Sequence, residues 1–284
     1  MFRQALSSRT GLVVALVLVS LSVTVPDASA ATISARSGDV AAIFTYSGTF
    51  PQSRDARLTI TRAGNVVGNV VVSSRWCGRQ CWPDSVSPGH SVLHVVRLGP
   101  HGPLDVVLDL YSGGAHCCTV EQIFSWDASS GRYRKFEYNF GDPEAKLVPL
   151  GKGGSDVFLS ADDSFAYAFT DYAASGLPIE ILSFSNNALH NVTRSFSRLI
   201  ANDATLWRKA FDSAGASNYQ DTVGVAAAWA ADEDMLGHST SVANFLHLEL
   251  RADHLNSALN PIEPSGRKFV ADLQKFLRQH GYTK

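Results

Sequence analysis

Gly102-Pro103-Leu104-Asp105-Val106-Val107-Leu108-Asp109-Leu110-Tyr111-Ser112-Gly113-Gly114-Ala115-His116-Cys117-Cys118-Thr119 is the stretch on which the fold turns. Its first half is a short run of Val and Leu fenced by Gly-Pro on one side and Ser-Gly-Gly on the other, which reads as a strand between two turns. Residues 102–109 are echoed 51 positions later by Gly153-Gly154-Ser155-Asp156-Val157-Phe158-Leu159-Ser160. After each copy come an aromatic-rich strand and a Phe-Ser pair, Phe124-Ser125-Trp126-Asp127 and Phe184-Ser185-Asn186-Asn187, leading into a turn and another strand. A period of this size fits one four-stranded unit per repeat.

Outward from that stretch the same texture runs from Ala31 to about Phe196. Val40–Tyr46, Ala56–Arg62, Val66–Ser73, Val92–Leu98, Leu104–Leu110, Val120–Trp126, Tyr133–Tyr138, Asp156–Leu159, Phe165–Thr170 and Ile179–Phe184 all read as short strands punctuated by Gly, Pro, Asn or Ser. The gaps leave no room for crossover helices, so the sheets are expected to be antiparallel. The alternatives are propeller-blade-like meanders or a two-sheet sandwich. The repeats resemble the FG-GAP and VCBS-type β repeats of secreted proteins. The Asp-x-Asp-Gly-x-Gly run that binds calcium in such repeats is missing here, so the resemblance implies a fold and no cofactor.

After Phe196, Ala, Leu and charged residues recur at helical spacing through Leu206–Ser213, Tyr219–Leu236, Ser241–Ala252 and Gly266–His280. In the last, Phe269, Val270, Leu273, Phe276 and Leu277 share one face, and Gly281 marks the stop. The expected fold class is therefore α+β. A signal peptide at 1–30 precedes a β-rich domain at 31–196 with two repeats of about 51 residues, and a helical region follows at 197–284.

The export assignment rests on Arg3 and Arg9 ahead of the uncharged run Leu12–Val25, followed by Pro26 and Ala28-Ser29-Ala30. Fourteen residues fall short of the ~20 that span a bilayer, so cleavage after Ala30 would leave a protein with no membrane span. The remainder carries 22 basic and 25 acidic residues without blocks of like charge, which argues against nucleic acid as a partner. The expected place of work is outside the cytoplasm, secreted into the medium or held in the periplasm or cell envelope.

Four cysteines, Cys77, Cys81, Cys117 and Cys118, point to disulfides in an oxidising compartment. Side chains of neighbours in an extended strand point to opposite faces, so Cys117 and Cys118 cannot both reach the Cys77, Cys81 pair unless the chain turns at Gly113-Gly114. A bond between neighbours is strained instead, so local pairing and crossed pairing both stay open. The segment resembles a Gly-Gly-Ala-His-Cys-Cys motif of uncharacterised exported bacterial proteins, which implies export and gives weight to Gly113, Gly114 and His116 without naming an activity.

Three chemistries compete with a structural disulfide at this motif. His116 with two thiolates could hold copper(I) or zinc, but adjacent residues chelate poorly and oxidation removes the thiolates, so no metal is assigned. A strained neighbouring pair could act as a redox-labile disulfide. A Cys117 nucleophile with His101 upstream would give an envelope enzyme that resembles the cysteine-dependent L,D-transpeptidases. Ala115-His116 and Thr119 depart from that family's His-Gly and arginine.

Trp76 and Trp82 flank the Cys77–Cys81 loop as packing residues or an aromatic lip. Asp232-Glu233-Asp234 reads as a solvated helix end, and His247, Glu249 and His254 read as surface positions. With no nucleophile, base and orienting partner assembled, the sequence favours a binding or scaffolding module over an enzyme. Its partner would be an envelope or extracellular ligand, with the motif loop and the Trp76–Trp82 loop as its cross-linked edge.

Overall fold

The structure, a computed structural model, describes residues 30–83, 91–115, 117–257 and 262–283, so all but the last residue of the signal peptide expected at 1–30, and His116, lie outside the described residues. The first sheet runs β1 (Ala31–Ser37), β2 (Val40–Thr49), β3 (Gln52–Arg62), β4 (Asn65–Val71) in chain order. In the second, β5 (Trp82–Pro83) and β6 (Leu93–Val96) both pair with β7 (Asp105–Gly114), which is followed by β8 (Cys117–Asp127) and β9 (Arg132–Gly141). The third is β10 (Lys146–Val148), β11 (Val157–Ala161), β12 (Ile179–Ser185), β13 (Ala188–Asn191). Neighbouring strands are antiparallel throughout. Four helices close the chain, α1 (Ser197–Ser213), α2 (Val223–Met235), α3 (Ser239–Arg251) and α4 (Gly266–Gln279), so the class is α+β.

The second sheet is the middle layer. On one face Val106, Leu108, Leu110, Val120 and Phe124 pack with Val40, Phe44, Leu58 and Ile60 of the first sheet. On the other face Val107, Ile123 and Phe140 pack with Phe158 and Phe184 of the third. That two-sided burial explains why β7 and β8 read as near-continuous apolar runs, whereas β1, covered on one side, alternates. It also forces the polar residues of these strands inside: Asp105, Glu121 and Gln122 are all buried.

The helices form a separate core around α2, whose Val223 and Ala226–Ala231 are buried on every side. α4 contributes Phe269, Leu273 and Leu277, the four-residue spacing of one helix face. One sequence expectation is corrected here. Phe165–Thr170 is not a strand but a 3-10 turn and irregular chain between β11 and β12, and it delivers Phe165 and Phe169 into the helical core. A second correction concerns Asp232 and Asp234, which are 0% and 5% exposed because α2 is enclosed, not a solvated end. The chain terminus is tied back by Arg194, which donates to the carbonyls of Met235, Gly281 and Tyr282, and by the Tyr282 hydroxyl, which donates to Asp162 over 2.7 Å.

Candidate functional site: the aromatic and disulfide end

Three segments meet at one end of the first two sheets. The β2–β3 turn brings Phe50 and Pro51, joined by a cis peptide, β5 brings Trp82, and the β7–β8 hairpin brings Tyr111 and the double cysteine. Trp82 lies directly opposite Tyr111 in register, so the strand pairing itself sets the two rings side by side. Phe50 lies parallel to Tyr111 with ring centroids 6.3 Å apart and stands edge-on to Trp82 at 5.8 Å; Tyr46 meets the same indole edge-on at 5.4 Å. Phe50 remains 63% exposed, an apolar ring held in place by neighbours yet facing water.

The hairpin is closed by its own side chains. Ser112 Oγ donates to the Cys117 carbonyl over 2.7 Å and accepts from the Cys118 N–H over 2.6 Å, while the Tyr111 hydroxyl donates to the Gly114 carbonyl. Gly113 takes φ 86°, and a Cβ on it would lie 3.3 Å from the Pro51 side chain. A Cβ on Gly114 would strike the Cys117 carbonyl, so the Gly-Gly pair is needed to let the hairpin turn under the β2–β3 segment.

Cys77 pairs with Cys81, with Cα atoms 5.1 Å apart, and Cys117 pairs with Cys118 across a cis peptide, with Cα atoms 3.0 Å apart. Cys81 and Cys118 point into the core between the first two sheets, whereas Cys117 is exposed. Cys81 is held by a second bond, its carbonyl accepting from the buried Ser53 hydroxyl over 2.5 Å. The two residues of the nucleophile alternative are not brought together: His101 sits in the exposed turn before β7 and Cys117 beyond its far end, a ten-residue strand that spans about 33 Å. Trp76 is half-buried, with the Arg75 guanidinium over its ring, 4.0 Å from the ring centre.

Ionisable groups that sequence reasoning missed lie deeper in the middle sheet. Asp109 and Glu121 are direct cross-strand partners on β7 and β8, and His94 Nε2 on β6 reaches Asp109 over 3.1 Å. Glu121 is 1% exposed, and no donor reaches either of its oxygens. Burial first, and then the charge and hydrogen bond of Asp109, push its carboxyl well above the usual range. Protonated, it donates to Asp109. Burial pulls the His94 imidazolium down, but its bond to Asp109 and that carboxylate's charge outweigh burial and raise it. The residues are 12 and 15 positions from Asp109 in sequence, and only the strand register unites them.

The helices hold a comparable pair. Asp203 of α1 accepts from the Ile179 N–H over 3.0 Å and from Trp207 Nε1 over 2.9 Å. Burial, followed by the charge of Asp203 and a hydrogen bond to it, pushes Asp232 up to about 10, so this carboxyl is also a neutral donor. Glu249 bonds His254 over 2.8 Å under the stacked ring of Tyr219, while His247 is exposed. Among the described residues, no three His, Cys, Asp or Glu side chains are grouped as metal ligands.

No protein-family model matches the chain, and no solved structure matches it. The chain is similar to a protein of Synechocystis sp. (strain ATCC 27184 / PCC 6803 / Kazusa) named "Probable thylakoid lumen protein", with 29% identity over 106 residues. The match covers 36% of this chain and 31% of that relative, so it spans less than a third of the relative's length.

Proposed function

We propose that this chain is an exported binding or scaffolding module that works outside the cytoplasm, with its ligand seated on the aromatic end. Its extracytoplasmic place is supported by the lumenal name of its relative and by cysteines at disulfide distance. The stacked meanders support the scaffold part of the reading. An Asp-Val step recurs in all three sheets: Asp105-Val106 begins β7, Asp156 directly precedes Val157 at the start of β11, and Asp39 directly precedes Val40 at the start of β2.

The observation that carries the binding part is Phe50. A ring 63% exposed, yet stacked on Tyr111 and braced by Trp82, loses little freedom when a ligand settles on it. The ligand class is a flat or ring-bearing group of an envelope or extracellular molecule. Because the Trp82 indole touches Phe50, its fluorescence reports on occupancy. Titrating the mature protein with soluble peptidoglycan fragments should give a saturable Trp shift, and Phe50→Ala should abolish it while leaving the melting temperature in place. Equal binding by Phe50→Ala and wild type would sink the assignment of this end.

A further inference from the structure

On the other face of the middle sheet from Glu121, Gln122 and Glu137 are register partners on β8 and β9. Glu137 is saturated by donors: Ser74 Oγ at 2.9 Å and the Arg75 N–H at 3.1 Å on one oxygen, Gln122 Nε2 at 2.9 Å and Lys135 Nζ at 3.1 Å on the other. Burial would raise this carboxyl, but the bonds from Arg75, Ser74 and Lys135 outweigh burial and hold it below its usual range. Around it lies a cleft of about 530 Å³ lined by Arg75, Arg79 and Lys135 together with Ser73, Ser74 and Gly78.

The loop that carries the two arginines is built to hold its shape. Ser74 and Gly78 exchange both backbone hydrogen bonds at 2.7 Å, Gln80 N–H donates to the Cys77 carbonyl at 3.1 Å, and Cys77 is bonded to Cys81. Arg75 lies flat on Trp76. The cleft thus has three cations against one carboxylate whose oxygens are already occupied, an excess of two positive charges on a fixed loop.

We propose that this cleft binds a phosphate group, with Arg75 and Arg79 as its forked donors and Lys135 as a point charge. Guanidinium groups match the geometry of anionic oxygens in pairs, and a dianion balances the excess charge where a carboxylate would leave one cation over. The site shares no residue with the aromatic end, so the two stand or fall separately.

The test is a titration of the folded mature protein with inorganic phosphate and, separately, with acetate, at constant ionic strength. Chemical shifts of the arginine Nε–H groups and the Trp76 indole are the readout. Phosphate should give saturable shifts, with binding about tenfold weaker in Arg79→Ala, the loss of one charge-assisted contact. Glu137→Gln should bind phosphate more tightly than wild type, since it removes the one negative charge in the cleft. Arg79 is exposed, so its variant decides the matter even where Glu137→Gln does not fold. No saturable shift, unchanged binding in Arg79→Ala, or acetate binding as tightly as phosphate would each overturn the proposal.

Discussion

Strands β7 and β8 of the middle sheet and helix α2 are both packed on opposite sides, and each buries a carboxyl group, Glu121 and Asp232, against a half-buried carboxyl partner, Asp109 and Asp203. They solve the same electrostatic problem differently. In the sheet, a protonated Glu121 donates to Asp109, and Asp109 is also bonded to His94, so the row Glu121–Asp109–His94 can be neutral as a whole when the imidazole is charged. In the helices, a protonated Asp232 donates to Asp203, which accepts from two N–H groups and has no ion pair among the described residues. A buried charge pair depends on both members being present, whereas a buried acid held by neutral donors depends on hydrogen bonds that an amide can imitate.

The largest effect is expected at Asp109. Asp109→Ala leaves His94 without its carboxylate and Glu121 without an acceptor, and should cost ~3–5 kcal/mol, read as a fall in the urea midpoint with an unchanged slope. Asp203→Ala strands the Ile179 N–H, the Trp207 Nε1–H and the Asp232 carboxyl, and should cost about 1–3 kcal/mol by the same measurement. A loss at Asp203 equal to or greater than that at Asp109 would break the distinction between ionic row and neutral-donor pair.

The smallest effect is expected at Asp232, where an amide can keep the donated hydrogen bond: Asp232→Asn should change stability at mildly acidic pH by less than about 1 kcal/mol. Its pH dependence sharpens the comparison. A carboxyl raised from its ordinary 3.8 to about 10 holds its proton in the folded state, so its contribution is present below pH 3.8 and drains away as pH rises toward 10. His94, raised above 6.5, contributes below that value and loses its contribution as pH rises through its folded value. Both act in the same direction, so wild type should lose stability from pH 5 to pH 9, and Asp232→Asn should lose less. Parallel curves for the two proteins would remove Asp232 from the account.

Much of the fold could be read from local patterns. The apolar runs of β7 and β8, the alternation in β2 and β3, and the one-sided face of α4 each belong to a single segment, and a segment is what a sequence displays. Phe165–Thr170 was misread for the same reason: a short aromatic run has no period to tell a strand from chain that packs under helices. β10 and β13, at three and four residues, are too short to carry an alternation. Of the site, the double cysteine, the Gly-Gly turn and Trp82 were visible, but Phe50 was not, because its value comes from the ring of Tyr111 some sixty positions away. The burial of Asp232 was hidden too, since it depends on α1 covering a side of α2 that an isolated helix would leave wet.

The first and third sheets pair only strands adjacent in the chain, and in the second β5 alone skips a strand to pair with β7, so every sheet completes its pairing before the next begins. A chain that emerges N-terminus first could therefore assemble its sheets in the order in which they appear, with short loop closures at each step. The middle sheet is the exception, because its second face stays open until β11 and β12 have arrived to cover Val107 and Ile123. Burial is the largest of the causes that push the Glu121 carboxyl up, so that push is expected to arise only when the third sheet closes over it. Pulse-labelled hydrogen exchange during refolding should accordingly show the amides of the first sheet protected before those of β8, and the lag should lengthen as the pH is raised.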